Sequence, residues 1–189
     1  MAILKPPRGV LLQRGHPLSR GLVGCWLMNE GAGNIVNDLS GNGLNVTKEA
    51  KAVWVPGGIE SFGHSQEQLL LPRTLVVGPD LSVVAKVCFD GVGKGVLCGG
   101  VSYLDGGYSL HVLNSTQAWV NFDGSYKTLD ILGGWSLGIS RTYAVTKCGT
   151  LGSLYVDGVL NDSDNRFTAG NGLEIGCLNG YTGGENVID

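Results

Sequence analysis

Residues 81–89, LSVVAKVCF, place Leu81, Val83, Ala85, Val87 and Phe89 at every second position. Alternate side chains of a pleated strand stand on opposite faces. The run therefore predicts a half-buried strand, with these five toward a core and Ser82, Val84 and Lys86 on the other face. Short apolar runs recur along the chain: LVGCWLM from residue 22, KAVWV from 51, QLLLP from 68, KGVLCGGV from 94, GYSLHVL from 107 and QAWVNF from 117. WSLGIS, RTYAVTK, GSLYVDGVL and GLEIGCL follow. Asp157-Gly158 lies between two apolar runs, and both residues tolerate the positive φ of a tight hairpin. No stretch sustains a helical stripe. The pattern predicts an all-β protein, an antiparallel sandwich or barrel.

Residues 1–20 break this pattern. They carry Lys5, Arg8, Arg14 and Arg20, three prolines and no acid, and include the apolar Leu11 and Leu12. Fixed φ at Pro6, Pro7 and Pro17 opposes helix and predicts an extended basic arm before a body spanning 21–189. Its apolar residues call for a surface to dock on, and its arginines can pair with carboxylates of a neighbouring subunit.

Composition sharpens the picture. The chain has 189 residues, enough for one domain with a sizeable core. Only 15% of residues are charged, while 32 are glycine, so the polar surface falls largely to Ser, Thr, Asn and Gly. The net charge of −3 predicts no nucleic-acid partner. No apolar run is long enough for a membrane-spanning helix. The opening residues lack the apolar stretch of a signal peptide. The five cysteines are odd in number and none forms a C-x-x-C pair, which predicts buried reduced thiols, not a zinc site.

Three segments, GLVGCWLMNEGAGNIVNDLSGNGLNV, RTYAVTKCGTLGSLYVDGVL and GLEIGCLNGYTGGENVID, resemble in this order the laminin-G-like branch of the concanavalin A-like superfamily. The resemblance implies two facing antiparallel sheets in a jelly roll. It also implies a final strand opened by the closing Ile-Asp, so that an edge beside it stands open to pairing. The opening, KPPRG followed by HPLSRGLVGCW, is similar to small phage proteins in which such an arm leads into this sandwich.

The loop NDLSGNG offers Asp38, Asn37, Asn42 and several carbonyls, the hard oxygen donors that calcium takes. The alternative is a turn in which Asp38 accepts from nearby N–H groups. The resemblance adds Asp189 to a structural calcium site with Asp38 and Asn42. Sugar binding calls for exposed aromatics, and the loop-like candidates are Tyr103, Tyr126, Trp135 and Tyr181. Trp26, Trp54 and Trp119 lie in apolar runs and are expected in the core. No strand carries the alternating carboxylates of a glycosidase on this fold, and no histidine has a nucleophile-elbow context. The reading that follows is non-catalytic: a virion structural or display protein, a phage capsid decoration or tail accessory, held by its arm to protein subunits and self-associating. The alternative is a lectin-like module for a surface glycan, and a glycoside-active enzyme stands third.

Overall fold

The computed structural model describes residues 12–61, 69–78, 80–89, 95–96, 108–112, 114–122, 125–167, 173–178 and 186–188. Its strands in chain order are β1 (Ile35–Val36), β2 (Val46–Lys48), β3 (Val53–Val55), β4 (Gly58–Ser61) and β5 (Leu69–Val77). Then come β6 (Leu81–Phe89), β7 (Gly95–Val96), β8 (Tyr108–Val112), β9 (Gln117–Phe122) and β10 (Ser125–Asp130). The last five are β11 (Arg141–Cys148), β12 (Leu151–Val156), β13 (Val159–Asp164), β14 (Leu173–Cys177) and β15 (Asn186–Ile188). One 3-10 turn, Pro17–Ser19, is the only helical element among the described residues.

All pairings are antiparallel. Seven strands form one sheet in the order β13-β12-β11-β6-β15-β4-β3. The facing layer is divided into two four-stranded sheets, β1-β2-β5-β14 and β10-β9-β8-β7, with β14 lying against β8. Residues from all three sheets enter one apolar cluster, including Val46 and Leu69, Leu110 and Val120, and Val87, Phe89, Tyr143 and Leu154. The chain is thus an all-β jelly-roll sandwich. In β6, Val87 and Phe89 are buried while Val84, on the opposite parity, is 65% exposed. The Asp157-Gly158 hairpin joins β12 to β13 with φ of 49° and 82°, as the sequence predicts.

Several expectations change. LVGCWLM forms no ladder; its backbone is engaged by side chains instead. Cys25 N–H donates to Asp38 Oδ1, and the Val23 carbonyl accepts from Ser40 Oγ and Asn42 Nδ2. Trp26 makes only an isolated bridge to Asp38. WSLGIS is likewise a loop, entered through Gly133 and Gly134, both at φ +78°. A Cβ on Gly134 would stand 2.7 Å from the Ser115 carbonyl oxygen, so only glycine admits this close approach. QLLLP extends through Pro72 to residue 77, and the β5–β14 register is irregular across that stretch, where a residue without an N–H is tolerated. The closing segment is no edge: β15 is paired on both sides, with β4 and with β6. Cys25 and Cys88 are only half-buried and Cys148 is exposed, all three as free thiols.

The described part of the arm turns rather than extends. Consecutive bonds run from His16 N to Gln13 O, Ser19 N to His16 O and Leu22 N to Ser19 O. Ser19 Oγ also donates to the Arg14 carbonyl at 2.7 Å. A Cβ at Gly41 would fall on the Arg14 guanidinium, which therefore lies across the chain's own NDLSGNG loop. Arg20 is exposed and Leu12 half-buried, while Lys5, Arg8 and Leu11 lie outside the described residues.

Candidate functional site

β9 carries two different faces. Ala118 and Val120 are fully buried in the core, whereas Trp119 between them is 45% exposed. Register places His111 of β8 and Thr128 of β10 on either side of Trp119, and Ser109 and Tyr126 on either side of Asn121. Directly paired positions stand on the same face, about 5 Å apart. The face of β9 and β10 that carries Trp119 thus also carries the exposed Thr128, with Asn121 buried two residues along β9.

A relay of planar groups borders it. Asn114 Nδ2 donates to Gln117 Oε1 at 2.8 Å, and Gln117 Nε2 donates to Asp130 Oδ1 at 2.9 Å. The relay fixes the Gln117 amide and the Asp130 carboxylate in orientation, and Asp130 remains exposed. Asn121 is 2% exposed, and its Oδ1 has no hydrogen-bond partner, an unmet acceptor of the same row. The last β10 groups are tied to the opposite layer by side chains of β13: Asp130 N–H donates to Asp162 Oδ2 and Leu132 N–H to Asn161 Oδ1. This clamp ties the rim of the face to β13. An exposed indole beside oriented amide and carboxylate groups can stack on a sugar ring's C–H face while exchanging hydrogen bonds with its hydroxyls.

Trp135 and Trp119 exchange the burial expected of them. Trp135 was expected at a sugar site. Its ring is wedged edge-on against Phe89, with centroids 5.1 Å apart, and lies 5.3 Å from Tyr143. Its Nε1 donates to the Gln117 carbonyl at 3.0 Å, so it plugs the end of the sandwich. Trp119 was expected in the core and is exposed. A signal was present in QAWVNF: Trp119 shares its parity with Gln117 and Asn121, not with Ala118 and Val120. Trp26 and Trp54 pack against the core as expected, their Nε1 atoms donating to the Leu44 and Gly33 carbonyls. Tyr126 falls in the Trp119 sheet, beside Asn121. Tyr103 and Tyr181 lie outside the described residues.

Asp38 is a hydrogen-bonded hub in the NDLSGNG loop, while Glu30, whose Oε1 accepts from Asn37 N and Nδ2, keeps its Oε2 buried without a partner. Asp38 Oδ1 accepts from Cys25 N and Ser40 N, and Oδ2 from Ser40 Oγ and Leu44 N, at 2.7–3.1 Å. Burial pushes its carboxyl pKa up, but the Ser40 hydroxyl and the three N–H groups outweigh it and hold the pKa below the usual value. Asn42 turns its Nδ2 to the Leu22 and Val23 carbonyls. A calcium ion needs free oxygens; at Asp38 both oxygens face donors, so this carboxylate does not fit one. Asp189, its expected partner, lies outside the described residues. Among the described residues no three His, Cys, Asp or Glu side chains gather as a metal set. No helix among them is long and apolar enough to cross a membrane.

No known family model and no curated protein sequence matches the chain. Among solved structures it is similar to a mutant of Trypanosoma rangeli sialidase displaying trans-sialidase activity, with 19% identity and a TM-score of 0.54. The match covers 90% of this chain and 30% of the sialidase chain. It is also similar to that sialidase in complex with 2,3-difluorosialic acid, with 22% identity and a TM-score of 0.52, over 89% of this chain and 30% of the other. Domain 4 of AbnA, an extracellular arabinanase of Geobacillus stearothermophilus solved with arabinotriose, matches with 16% identity and a TM-score of 0.49, over 80% and 84%. The chain thus spans less than a third of the sialidase chains. The sialidase likeness is one of fold, a concanavalin A-like jelly-roll sandwich.

Proposed function

We propose that the chain is a non-catalytic glycan-binding module whose saccharide platform is the outer face of β8–β10. Trp119 carries the reading: it is a large aromatic at 45% exposure on a sheet face, bordered by the oriented Gln117–Asp130 pair. Its strand neighbours Ala118 and Val120 are fully buried, so alternation turns the indole to the other face, where it is partly open to a ligand. The same fold occurs in a sialidase solved with a sialic acid derivative, which agrees with the reading without carrying it.

The virion display reading rests on the opening residues. Arg14, one of the arginines assigned to a neighbouring subunit, lies on the chain's own loop. The finer kinship to laminin-G-like phage proteins gains no support from the similar structures, so glycan binding is the reading adopted.

A glycan array probed with the intact chain and with Trp119→Ala tests it. The intact chain should bind a restricted set of oligosaccharides, and the variant should lose binding at least tenfold while its melting temperature stays within a few degrees. The bound oligosaccharide should remain uncleaved on long incubation. Equal binding by both proteins, or none by either, defeats the proposal.

A further inference from the structure

The end of the sandwich beyond β10 holds a cavity of about 310 Å³ between loop 131–136 and the β12–β13 hairpin. Arg141 and Asp157 pair on its wall at 2.8 Å. Arg141 Nε is buried without an acceptor and has no surface open to the cavity, so it calls for no ligand there. The groups beside Trp119 differ, because their unspent bonding capacity lies at the surface. Asp130 and Thr128 are exposed, and Gln117 is half-buried. Asn121, on the far side of Trp119, is only 2% exposed, so the open part of the face runs from the indole toward Gln117 and Asp130.

The donor and acceptor pattern of these groups is fixed from the backbone outward. The Thr116 N–H can only donate, and it meets Asn114 Oδ1 at 2.9 Å. Asn114 therefore turns its Nδ2 to Gln117, which meets it with Oε1 at 2.8 Å. Gln117 is left to present Nε2 to Asp130 Oδ1 at 2.9 Å. The series carries one polarity, and reversing either amide would set like against like. It spends one oxygen of Asp130 and one hydrogen of Gln117 Nε2. Among the described residues, Asp130 Oδ2 meets no donor and the second Nε2 hydrogen of Gln117 meets no acceptor.

An open carboxylate oxygen beside an open amide N–H takes two neighbouring hydroxyls, one donating to Asp130 and one accepting from Gln117. Gln117 and Asp130 are directly paired, and Asp130 stands diagonally from Trp119, about 7–8 Å away. A pyranose ring lying on the indole spans that distance. Charge completes the selection. Asp162 accepts the Asp130 N–H, so a second carboxylate borders the rim. No position of β8–β10 on this face is a lysine or arginine. Lys127 has the opposite parity and its Nζ lies 5.9 Å from the Phe167 ring centroid, and Arg141 is paired with Asp157. His111, in the register row of Trp119, adds positive charge only in acid. A sugar bearing a carboxylate or sulfate would meet like charge here with no counter-ion. We infer that the Trp119 face takes neutral saccharides with two adjacent free hydroxyls, held by Asp130 and Gln117, and rejects acidic ones. The inference rests on the glycan reading of that face and narrows it to a ligand class.

An array of neutral gluco-, galacto- and manno-oligosaccharides, set against the same backbones carrying sialic acid, uronic acid or sulfate, tests it at about pH 8, where imidazole is neutral. The intact chain should bind neutral members at least tenfold more tightly than their acidic counterparts. Methylating one hydroxyl of the adjacent pair on a bound member should weaken it at least fivefold. Asp130→Asn keeps the shape, but its Oδ1 takes the Gln117 donor and its Nδ2 stands where Oδ2 stood. That variant should lose at least fivefold on neutral members and narrow the gap to acidic ones, with its melting temperature unchanged. Equal or tighter binding of acidic members that is lost in Trp119→Ala overturns the inference and leaves the glycan reading standing. A folded Asp130→Asn protein with the preference of the intact chain overturns it too. No binding of any member by the intact chain defeats both.

Discussion

The NDLSGNG loop and the cavity at the end of the sandwich are both built from turns rich in glycine and small polar residues, yet they differ in what they leave undone. At the loop, Asp38 meets four donors and Asn42 bridges two carbonyls, so these two side chains are satisfied, and only Glu30 Oε2 beside Asn37 is left buried without a donor among the loop's described partners. At the cavity, Arg141 keeps a buried nitrogen without an acceptor, and its ion pair stays partly solvated. A closed set of hydrogen bonds stabilises the chain that makes it. An open set leaves that stabilisation unmade. Composition alone does not separate the two, because the same residue types serve both.

The largest effect that sharpens this contrast is expected at Asp38. Asp38→Ala strands the N–H groups of Cys25, Ser40 and Leu44 and should cost about 3–4 kcal/mol, a large share of a typical domain's stability. Asp157→Ala removes a partly exposed ion pair and the acceptor of one N–H, that of Thr142, and sets alanine at a positive φ, and should cost about 2 kcal/mol. Urea denaturation of the two variants measures the gap. Equal losses would mean that the cavity pair is as structural as the hub.

The two tryptophans extend the contrast to side chains. Trp135→Ala empties a space packed by Phe89 and Tyr143 and should cost about 3 kcal/mol. Trp119→Ala should cost under about 1 kcal/mol, since exposed positions contribute little. Thermal unfolding of both reads the order directly, and a larger loss at Trp119 would place it in the structural class.

Much of the fold was legible because period-two alternation and the Asp-Gly turn are local signals. LSVVAKVCF became β6 with the faces expected, and Asp157-Gly158 became the β12–β13 turn. LVGCWLM misled because its strand-like pattern is apolar enough for a ladder, while its backbone is met mainly by side chains from Asp38 to Asn42 and by the single Leu39 N–H to Cys25 carbonyl bond. WSLGIS misled because Trp135 plugs the end of the sandwich from a loop, which alternation cannot foresee. The site was legible only in part. Tyr126 lies in the same sheet as Trp119, and Trp119 was assigned by the apolar company it keeps in sequence and not by its parity. The β11–β12 pairing within RTYAVTKCGTLGSLYVDGVL brings Arg141 to Asp157, but no local signal adds Leu132, which is held there by Asn161 of β13.

Acid should separate the closed and open regions by a smaller margin. The Asp38 carboxyl is held below its usual value by the hydrogen bonds that outweigh its burial, and that of Asp164 by its contacts with Arg166. A carboxylate whose folded-state pKa is lowered contributes stability that is complete above the unfolded pKa, about 3.9. That contribution is lost as pH falls through the lower folded value. Stability should therefore decline below about pH 4, and Asp38→Asn should flatten the decline. The Tyr143 phenol, which burial pushes up to about 12, adds no transition in this range. An acid limb unchanged in Asp38→Asn would show that its hydrogen bonds do not depend on its charge.

The smallest effect is expected from removing divalent cations. The loop's residue types are those of a calcium site, and an ion bound there at a hundred times its dissociation constant would add about 2.7 kcal/mol by mass action. That would shift melting of a domain this size by roughly 5–10 °C. The geometry of Asp38 argues for no such gain. Oδ1 and Oδ2 each receive two donors, and a cation would have to displace N–H groups that have no other acceptor. Unfolding of the intact chain in excess chelator and in millimolar calcium should therefore give melting temperatures within about 1 °C of each other. A calcium-dependent rise that disappears in Asp38→Asn would break the comparison at its root: the hub would then be an ion site emptied of its ion, open in the same sense as the cavity. A rise that persists in Asp38→Asn would place the ion elsewhere and leave the hub closed.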